Sequence, residues 1–372
     1  MNWLSQSLWW YLILLGIGLL SYPITRKLFP KFYDHGYPFA KTISIIIISY
    51  AIFLLSTLKL LPFTQESLLL IVFILAVINF FIFRKEKFKR PQLIFILGEE
   101  LLFLFSFLFW VIVRGQEPAI HGLEKFMDFG FMNSIGRTTY FPPLDMWLSG
   151  HTINYYYFGH LTGAVLTKLS GFASYISYNL ILDTIFALAI TQTFSLCMNL
   201  VYKSFGKIQF GIIGGILGTF IVNLAGNFHT IYLFTKGYPN ENPIPFWKIF
   251  SWFNPEKYWY PNATRFIPFT IHEFPIYSYV VADLHGHVFD IPFVLLTLAI
   301  LFNLFHSYKE KVVPVLESKV AQEKSQNYNL KKKSKKKTDS NFPEKKAITE
   351  SGFDIKTYLI SNRYSLIFTI IL

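Results

Sequence analysis

The chain has 372 residues, of which 53% are hydrophobic and 19% aromatic, and its mean hydropathy is +0.40. Charged residues make up only 15%, against roughly 25% in soluble domains, so the composition excludes a large soluble enzyme. The net charge of +12 lies in short basic segments beside apolar runs; this placement is typical of membrane orientation signals and argues against a nucleic-acid partner.

The apolar runs predict an all-α polytopic membrane protein. Seven of them approach the roughly 20 residues that a helix needs to cross a bilayer. They occupy residues 8–25, 42–62, 67–83, 92–113, 175–202, 208–225 and 287–306. The first run lacks a basic segment and a small-residue cleavage site, so we expect a retained span and not a signal peptide.

Basic segments set the expected orientation of these spans. Lys and Arg are concentrated in residues 26–41 and 84–90, which should therefore lie in the cytoplasm. The fourth span then ends outside at Arg114. On this basis the loops 114–174 and 226–286 are expected to be extracytoplasmic, and the protein is expected in the cell membrane.

Residues 155–171 leave one alternative open. If they formed a full span, every later segment would change sides, and the Lys-rich tract 307–356 would lie outside. We favour a short element at or dipping into the outer interface, where Tyr and Trp are common. The tract 307–356 is then cytoplasmic.

The sequence divides into four segments. They are N-terminal spans over 1–90, a membrane core over 91–306, a Lys-rich disordered cytoplasmic loop over 307–356 and the start of a further span over 357–372. Lys, Ser, Glu and Asn dominate the loop, which favours a solvated spacer, although attraction to anionic lipid is an alternative. The sequence stops inside the last run, so we expect a fragment or a truncated gene product.

The fourth apolar run is unusual because it contains two acidic residues. Glu99 and Glu100 stand there among apolar residues. A carboxylate at that depth is costly unless it faces protein or water. We therefore expect this pair to border a cavity inside the bundle.

The first polar stretch contains two candidate catalytic acids. Glu124 and Asp128 are four residues apart and would share one helix face. Such a pair can divide into a general base and a contact to metal or substrate. The alternative is interfacial solvation, with ion pairs to Lys125 or Arg137.

An acid beside an aromatic residue follows Pro142 and Pro143, which end any preceding helix. Asp145 lies two residues before Trp147. This combination suits a sugar that stacks on the ring and hydrogen-bonds the carboxylate. It equally suits an interfacial turn, and the spacing does not decide between the two.

The second polar stretch offers candidate metal ligands. Asp283, His287 and Asp290 would form one stripe of a helix, whereas Asp283, His285 and His287 would share one face of an extended segment. Either arrangement offers ligands to a divalent cation such as Mg or Mn. With Arg265 it offers a site for a phosphate-bearing donor; hydrogen-bonded structure is the alternative.

Both polar stretches resemble a known family. "EKFMDFGFMNSIGRTTYFPPLDMWLSGHTINYYYFGH" and "TRFIPFTIHEFPIYSYVVADLHGHVFDIPF" closely resemble the YYY-domain family, multispanning membrane proteins of unknown function grouped with the C-type glycosyltransferase superfamily. The resemblance covers roughly residues 90 to 306. Family members commonly have Pro where this chain has Gly286, which would loosen the local backbone.

The resemblance implies a C-type glycosyltransferase-like helical bundle with large extracytoplasmic loops. Such enzymes take a sugar from a polyprenyl-phosphate-linked donor and transfer it on the outer face of the membrane. An acid in the first large outer loop acts as base or metal contact, with Pro-Pro some eighteen residues later. Glu124 lies eighteen residues before Pro142 and Asp128 fourteen, so both are candidates for the catalytic acid. The superfamily usually begins this loop after its first span, which makes the first three spans here an N-terminal addition.

The resemblance also implies a set of substrate-binding residues. They are Arg137, Asp145, Asn154, Tyr155, Tyr156, Tyr157, His160, Arg265 and Glu273. The tyrosine rings would stack on a sugar and their hydroxyls would hydrogen-bond it. The expected partners are a lipid-linked sugar donor and membrane lipid, while the sugar and its acceptor are not indicated.

Two other functions are compatible with the sequence. A transporter or flippase for a lipid-linked or polar substrate would be expected to show inverted repeats and broken helices, and no repeat relates residues 1–113 to 175–306. The other alternative is a non-catalytic membrane subunit that keeps only the fold.

Overall fold

The computed structural model describes most of the chain. The described residues are 2–84, 90–234, 253, 260–265, 267, 269–306, 359 and 362–371. They are mostly helical and contain no β-strand, apart from an isolated bridge that pairs Leu144 with Thr152. The predicted loop 307–356 lies outside the described residues.

Eleven α-helices are numbered here within the described residues. They are α1 (Trp3–Leu28), α2 (Ala40–Thr57), α3 (Gln65–Phe83), α4 (Arg90–Arg114), α5 (Lys125–Arg137), α6 (Phe158–Ser170), α7 (Ser174–Phe205), α8 (Ile208–Thr219), α9 (Pro275–Val281), α10 (Gly286–His306) and α11 (Arg363–Ile371). Short 3-10 turns cover Tyr37–Phe39, Phe228–Phe234 and Tyr260–Thr264, and a π-turn over Phe220–Leu224 extends α8.

Six of these helices are long and apolar enough to cross a membrane: α1, α2 with its preceding 3-10 turn, α3, α4, α7 and α10. They coincide with six of the predicted spans, and the protein is a multi-pass membrane protein. The seventh predicted span is the shorter apolar helix Ile208–Leu224, whose 17 residues are at the lower limit of a spanning helix.

Local signals fix where several helices begin and end. The Thr64 side chain accepts the N–H of Ser67 and begins α3. Gly171 ends α6 at a φ of +71°, a left-handed conformation that favours glycine. The predicted span 42–62 was wrong at its end, since α2 stops at Thr57 and Lys59 turns the chain with a φ of 59°.

Helix α7 is the central helix of the bundle and packs against α4, α5, α6 and α8. Most of its residues are buried. Trp10 of α1 donates its indole N–H to Thr184 of α7 over 2.9 Å, which connects the N-terminal spans to the core. At the other end of the sequence, Ser365 of α11 donates to the Leu28 carbonyl of α1.

The acids inside α4 are buried against protein, as predicted. Glu100 accepts a hydrogen bond of 2.6 Å from the Tyr37 hydroxyl and pairs with Lys41. Glu99 is only 3% exposed and borders a cavity of about 850 Å³ between α4, α7 and α8. The expectation of a bordering cavity is therefore confirmed for Glu99, whereas Glu100 is paired with Tyr37 and Lys41.

Residues 155–171 contain the short helix α6 and not a spanning helix. Its 13 residues rise about 20 Å, well below the roughly 30 Å of a hydrocarbon core. Helix α6 does not lie on the surface, however, because most of its residues are buried against α2, α5 and α7. The prediction of a short element is confirmed, and its placement at the outer interface stays a prediction.

Candidate functional site

The two polar stretches of the sequence meet where α5 and α10 begin. The Glu124 carboxylate lies 2.6 Å from Nδ1 of His285, and the Asp128 carboxylate lies 3.8 Å from the same nitrogen. His160 and Tyr156 complete the group. We refer to Glu124, Asp128, Tyr156, His160 and His285 as the acid–histidine cluster.

Glu124 and Asp128 share one helix face, as their spacing predicts. The Glu124 carbonyl accepts the N–H of Asp128 over 3.1 Å at the first turn of α5. Their exposure differs sharply, since the Glu124 side chain is 58% exposed and that of Asp128 is 0% exposed. Of the two acids, only Glu124 can therefore contact a substrate without a rearrangement.

Asp128 and His160 form the buried part of the cluster. One carboxylate oxygen of Asp128 lies 3.1 Å from Nε2 of His160. The His160 ring is fixed edge-on between Phe131 and Phe289, with centroids 5.4 and 5.2 Å away. The other oxygen of Asp128 is buried and has no hydrogen-bond partner within the described residues.

The loop before α10 positions His285. The Leu284 N–H donates to the Tyr178 hydroxyl over 3.2 Å, and that hydroxyl lies 3.4 Å from the Ala282 carbonyl. Helix α10 then begins at Gly286, with the His285 carbonyl accepting the first helical N–H groups. Tyr178 of α7 thus holds His285 at the start of α10.

This geometry corrects the predicted helical stripe of Asp283, His287 and Asp290. Because α10 begins only at Gly286, Asp283 precedes the helix and does not continue its face. The extended alternative describes the two histidines better than the helical stripe does, since the ring centroids of His285 and His287 lie 5.5 Å apart.

Asp283 interacts with the beginning of α5. A backbone N–H of Glu124 hydrogen-bonds its carboxyl group. Burial raises the pKa of Asp283 to about 6, against the opposing charge of Lys125. Asp283 therefore connects the loop before α10 to the N-terminus of α5, where a carboxylate is favourable.

The grouping of donor atoms bears on the predicted cation site. Within the described residues, no three His, Cys, Asp or Glu side chains are grouped so that they could hold a metal ion. Asp283, His285 and His287 therefore do not form a ready ligand set. A divalent cation such as Mg or Mn stays a prediction.

The tyrosine triplet lines a cavity next to the cluster. The Tyr155 hydroxyl donates to that of Tyr156 over 2.5 Å, and Tyr156 is hydrogen-bonded to Nε2 of His285. This cavity, which we call the tyrosine pocket, holds about 610 Å³. Its lining comprises Phe53, Tyr155, Tyr156, Tyr157, Phe158, Gly159, Gly286, His287, Phe289, Asp290 and Phe293.

The Tyr156 hydroxyl remains protonated at neutral pH. Burial, together with the hydrogen bond from Tyr155, raises the pKa of Tyr156 to about 12. Tyr156 can therefore donate to Nε2 of His285 while Nδ1–H of His285 faces Glu124, an assignment that follows from the partners. The result is a continuous polar path from the pocket to Glu124.

Gly286 allows this path to form. A Cβ atom at this position would lie 2.6 Å from the ring of Tyr156, far closer than van der Waals contact. Glycine at this position thus permits the close approach of Tyr156 to the backbone.

A second pair borders the same pocket. Glu273 lies 3.0 Å from Nε2 of His287 and accepts the hydroxyl of Ser278 over 2.8 Å. The hydrogen bond from His287 lowers the pKa of Glu273, with burial opposing it. Glu273, a predicted substrate-binding residue, thus contacts His287, which lines the tyrosine pocket.

Other predicted residues lie away from the cluster or are engaged locally. The Asp145 carboxylate accepts the N–H groups of Trp147 and Leu148 over 2.7 and 2.9 Å, so the turn alternative describes it. Those N–H groups, that of Leu148 foremost, lower its pKa. Arg265 donates to the Pro261 carbonyl over 3.0 Å.

Arg137, Asn154 and Tyr157 occupy three further positions. Arg137 is at the opposite end of α5, beside Lys168 in a cavity of about 340 Å³. Asn154 is exposed. Tyr157 lines the tyrosine pocket and packs edge-on against Phe53.

Sequence reasoning missed the residues that position the cluster. Tyr178, which holds the loop before α10, stands in an apolar span and has no local motif. Lys125, whose positive charge favours the ionised form of Asp283, is predicted from the sequence only as an ion-pair partner of Glu124 or Asp128. Ser278, which donates to Glu273, has no pattern that distinguishes it from other serines.

The comparisons with known proteins give one match. A family described as uncharacterized membrane protein (DUF2298) matches residues 47–316, which include both polar stretches. No curated protein and no solved structure matches the chain. Since the match extends over more than half of the sequence, the chain belongs to this family of uncharacterized membrane proteins, DUF2298.

Proposed function

We propose that this protein is a membrane glycosyltransferase. It takes a sugar from a polyprenyl-phosphate-linked donor and transfers it to an acceptor on the outer face of the membrane. The observation that carries the proposal is the meeting of Glu124 and Asp128 with His285 and Tyr156 beside a tyrosine-lined pocket. The resemblance to C-type glycosyltransferases supports the same chemistry.

Glu124 is the proposed general base. In the transfer, the bond between the anomeric carbon and the donor phosphate breaks, and a bond from that carbon to the acceptor forms. The acceptor hydroxyl or amide loses its proton, which the Glu124 carboxylate takes. Its exposure lets the acceptor approach, and the contact with His285 at 2.6 Å fixes its position.

Asp128 is a positioning residue in this mechanism. It is fully buried, and it lies beside both His160 and His285. Its charge stabilises the orientation of the His285 ring and thereby that of Glu124 and Tyr156.

The tyrosine pocket is the proposed sugar site. Its volume of about 610 Å³ is within the range typical of small-molecule sites, roughly 300–1,000 Å³. Aromatic faces from the triplet suit a sugar ring, and His287 and Asp290 supply polar contacts. Arg265 is exposed and remains the candidate contact for the donor phosphate.

The proposal can be tested with membranes that contain the full chain. They are incubated with a panel of polyprenyl-phosphate sugars labelled in the sugar, and both the cleavage of the donor and the location of the label are followed. A transferase releases the label from at least one donor into an acceptor product. Movement of the intact donor across the bilayer without cleavage would instead identify a transporter and overturn the proposal.

A further inference from the structure

A second cavity lies apart from the tyrosine pocket. It holds about 890 Å³ where α4 ends and α7 begins, with α1 on its third side. Its lining is mainly apolar and includes Ile112, Phe129, Ile176 and Leu180. It shares no lining residue with the tyrosine pocket.

Asp183 is the unusual residue of this cavity. It lies nine residues into α7, about 13 Å along the helix, and it is 2% exposed. Its Oδ1 atom is buried and has no hydrogen-bond partner within the described residues. An acceptor at such depth is costly unless a donor satisfies it.

Arg114 is a cation near Asp183 but directs its donors elsewhere. It interacts electrostatically with Asp183 across the cavity. Its Nε donates to the Asn179 side chain over 2.8 Å, and its terminal nitrogens donate to the carbonyls of Glu117 and Ala119. Asp183 therefore faces an opposite charge that gives it no hydrogen bond.

The cavity borders the surface of the bundle that apolar side chains cover. Trp3, Ile112 and Tyr175 contribute to its lining and are exposed on the outside of the helices. A ligand dissolved in the surrounding lipid can therefore enter from the side, without passing through water. The apolar walls suit an alkyl chain, and Asp183 supplies the polar contact.

We propose that this cavity binds an alkyl amphiphile of the membrane whose head group carries a hydrogen-bond donor, an amine or a hydroxyl. The head group hydrogen-bonds Asp183, and the chain lies against Ile112, Ile176 and Leu180. The observation behind the assignment is independent of the proposed transfer reaction, because Asp183 lines this cavity and not the tyrosine pocket.

The test uses the full chain in lipid nanodiscs. The probe is a twelve-carbon alcohol with a photoactivatable diazirine at its far end, and labelled peptides are identified by mass spectrometry. Labelling is expected in the segments that line the cavity, at the end of α4 and the start of α7. Dodecanol and dodecylamine should compete, whereas 1-methoxydodecane, which has no donor, should compete at least about tenfold more weakly.

The Asp183→Asn variant cannot carry the negative charge of a carboxylate but keeps a side-chain oxygen that accepts a hydrogen bond. The amide oxygen still accepts from an alcohol, so competition by dodecanol should change less than about threefold. Competition by dodecylamine should weaken about tenfold or more, because a hydrogen bond to a charged partner is lost. Glu99→Gln is the matched control, since it neutralises a buried acid at a cavity of similar size, and it should leave both competitions unchanged.

Three results would overturn the proposal: equal competition by the methyl ether, an unchanged amine competition in Asp183→Asn, or labelling confined to other helices. If Asp183→Asn fails to fold, the comparison of ether with alcohol in the native chain decides alone.

Discussion

Glu124 and Asp128 have the same charge but opposite surroundings. Glu124 is exposed and touches His285, whereas Asp128 is enclosed with His160. At the scale of single residues, this difference separates the group that can meet a substrate from the group that fixes the site. Because of this difference, substitutions of Glu124 and of Asp128 should have different effects on the stability of the protein.

Asp128→Asn should lower thermal stability, while Glu124→Gln should leave it nearly unchanged. The buried His160 loses a charged partner only in the first variant, at a cost of about 1–3 kcal/mol. The measurement is the thermal unfolding midpoint of the purified full chain. Equal midpoints for both variants would show that Asp128 has no positioning role.

Gly286→Ala should disturb Tyr156. The added Cβ would meet the ring at 2.6 Å, so the ring must move and its hydrogen bond to His285 is lost. Turnover should fall about three- to tenfold. Tyr156→Phe should have the same effect, and the double variant should be no worse than either single variant.

The control for this prediction is Gly136→Ala. Gly136 is also helical, and a Cβ there meets nothing within 4 Å. This variant should keep full turnover. Additive losses in the Gly286→Ala/Tyr156→Phe double variant would contradict a role that acts through Tyr156.

Asp283→Asn should reveal the raised pKa of Asp283. The carboxyl keeps its proton to about pH 6 in the fold, against an ordinary value of 3.8, so the folded state binds more protons between those values. The stability of the native chain relative to this variant should therefore fall as the pH rises from about 4 to 7. Thermal unfolding at each pH measures it.

Glu273→Gln should give the opposite slope and is the matched comparison. The pKa of Glu273 is lowered from 4.5 by its hydrogen bond from His287. The stabilisation by Glu273 is complete above its ordinary value and is lost as the pH falls through the lowered one. Parallel slopes for the two variants would contradict these assignments.

At the scale of helices, α6 decides the topology of everything that follows it. It is short and packs inside the bundle beside α7. We therefore expect only α7 to cross the membrane between the first polar stretch and residue 205. Residues on either side of α7 should therefore be on opposite sides.

Cysteine labelling tests this arrangement. In a Cys197→Ala background, Ser149→Cys and Ser204→Cys place one exposed thiol before α6 and one at the end of α7. A membrane-impermeant maleimide added from outside should label position 149 and not position 204. Labelling of both would mean that residues 155–171 cross the membrane as well.

The spans were predictable because bilayer thickness dictates the length of an apolar run. The end of α2 was not, since the apolar residues after Thr57 belong to a turn. The shared face of Glu124 and Asp128 was predictable from their spacing. Their meeting with His285 was not predictable. His285 follows Glu124 by 161 positions and Asp128 by 157 positions, and no local pattern relates residues so far apart in the sequence.

At the scale of the whole molecule, the site depends on parts that are distant in sequence. The first turn of α5 and the residue before it supply the acids, the segment before α6 supplies the tyrosines, and His285 directly precedes α10. Tyr178 of the central helix α7 holds the loop that joins them. The site therefore exists only when the bundle of the DUF2298 core is assembled.

The central claim is that Glu124 is the general base of sugar transfer, and its turnover test is the most direct. The native chain, Glu124→Gln and Glu117→Gln are compared with a labelled polyprenyl-phosphate sugar. Glu117 is an exposed acid of the same stretch, outside the cluster. Glu124→Gln should lower turnover about 10²–10⁴-fold with donor binding retained, and Glu117→Gln should stay within about twofold. Turnover in Glu124→Gln equal to that in Glu117→Gln would contradict the account.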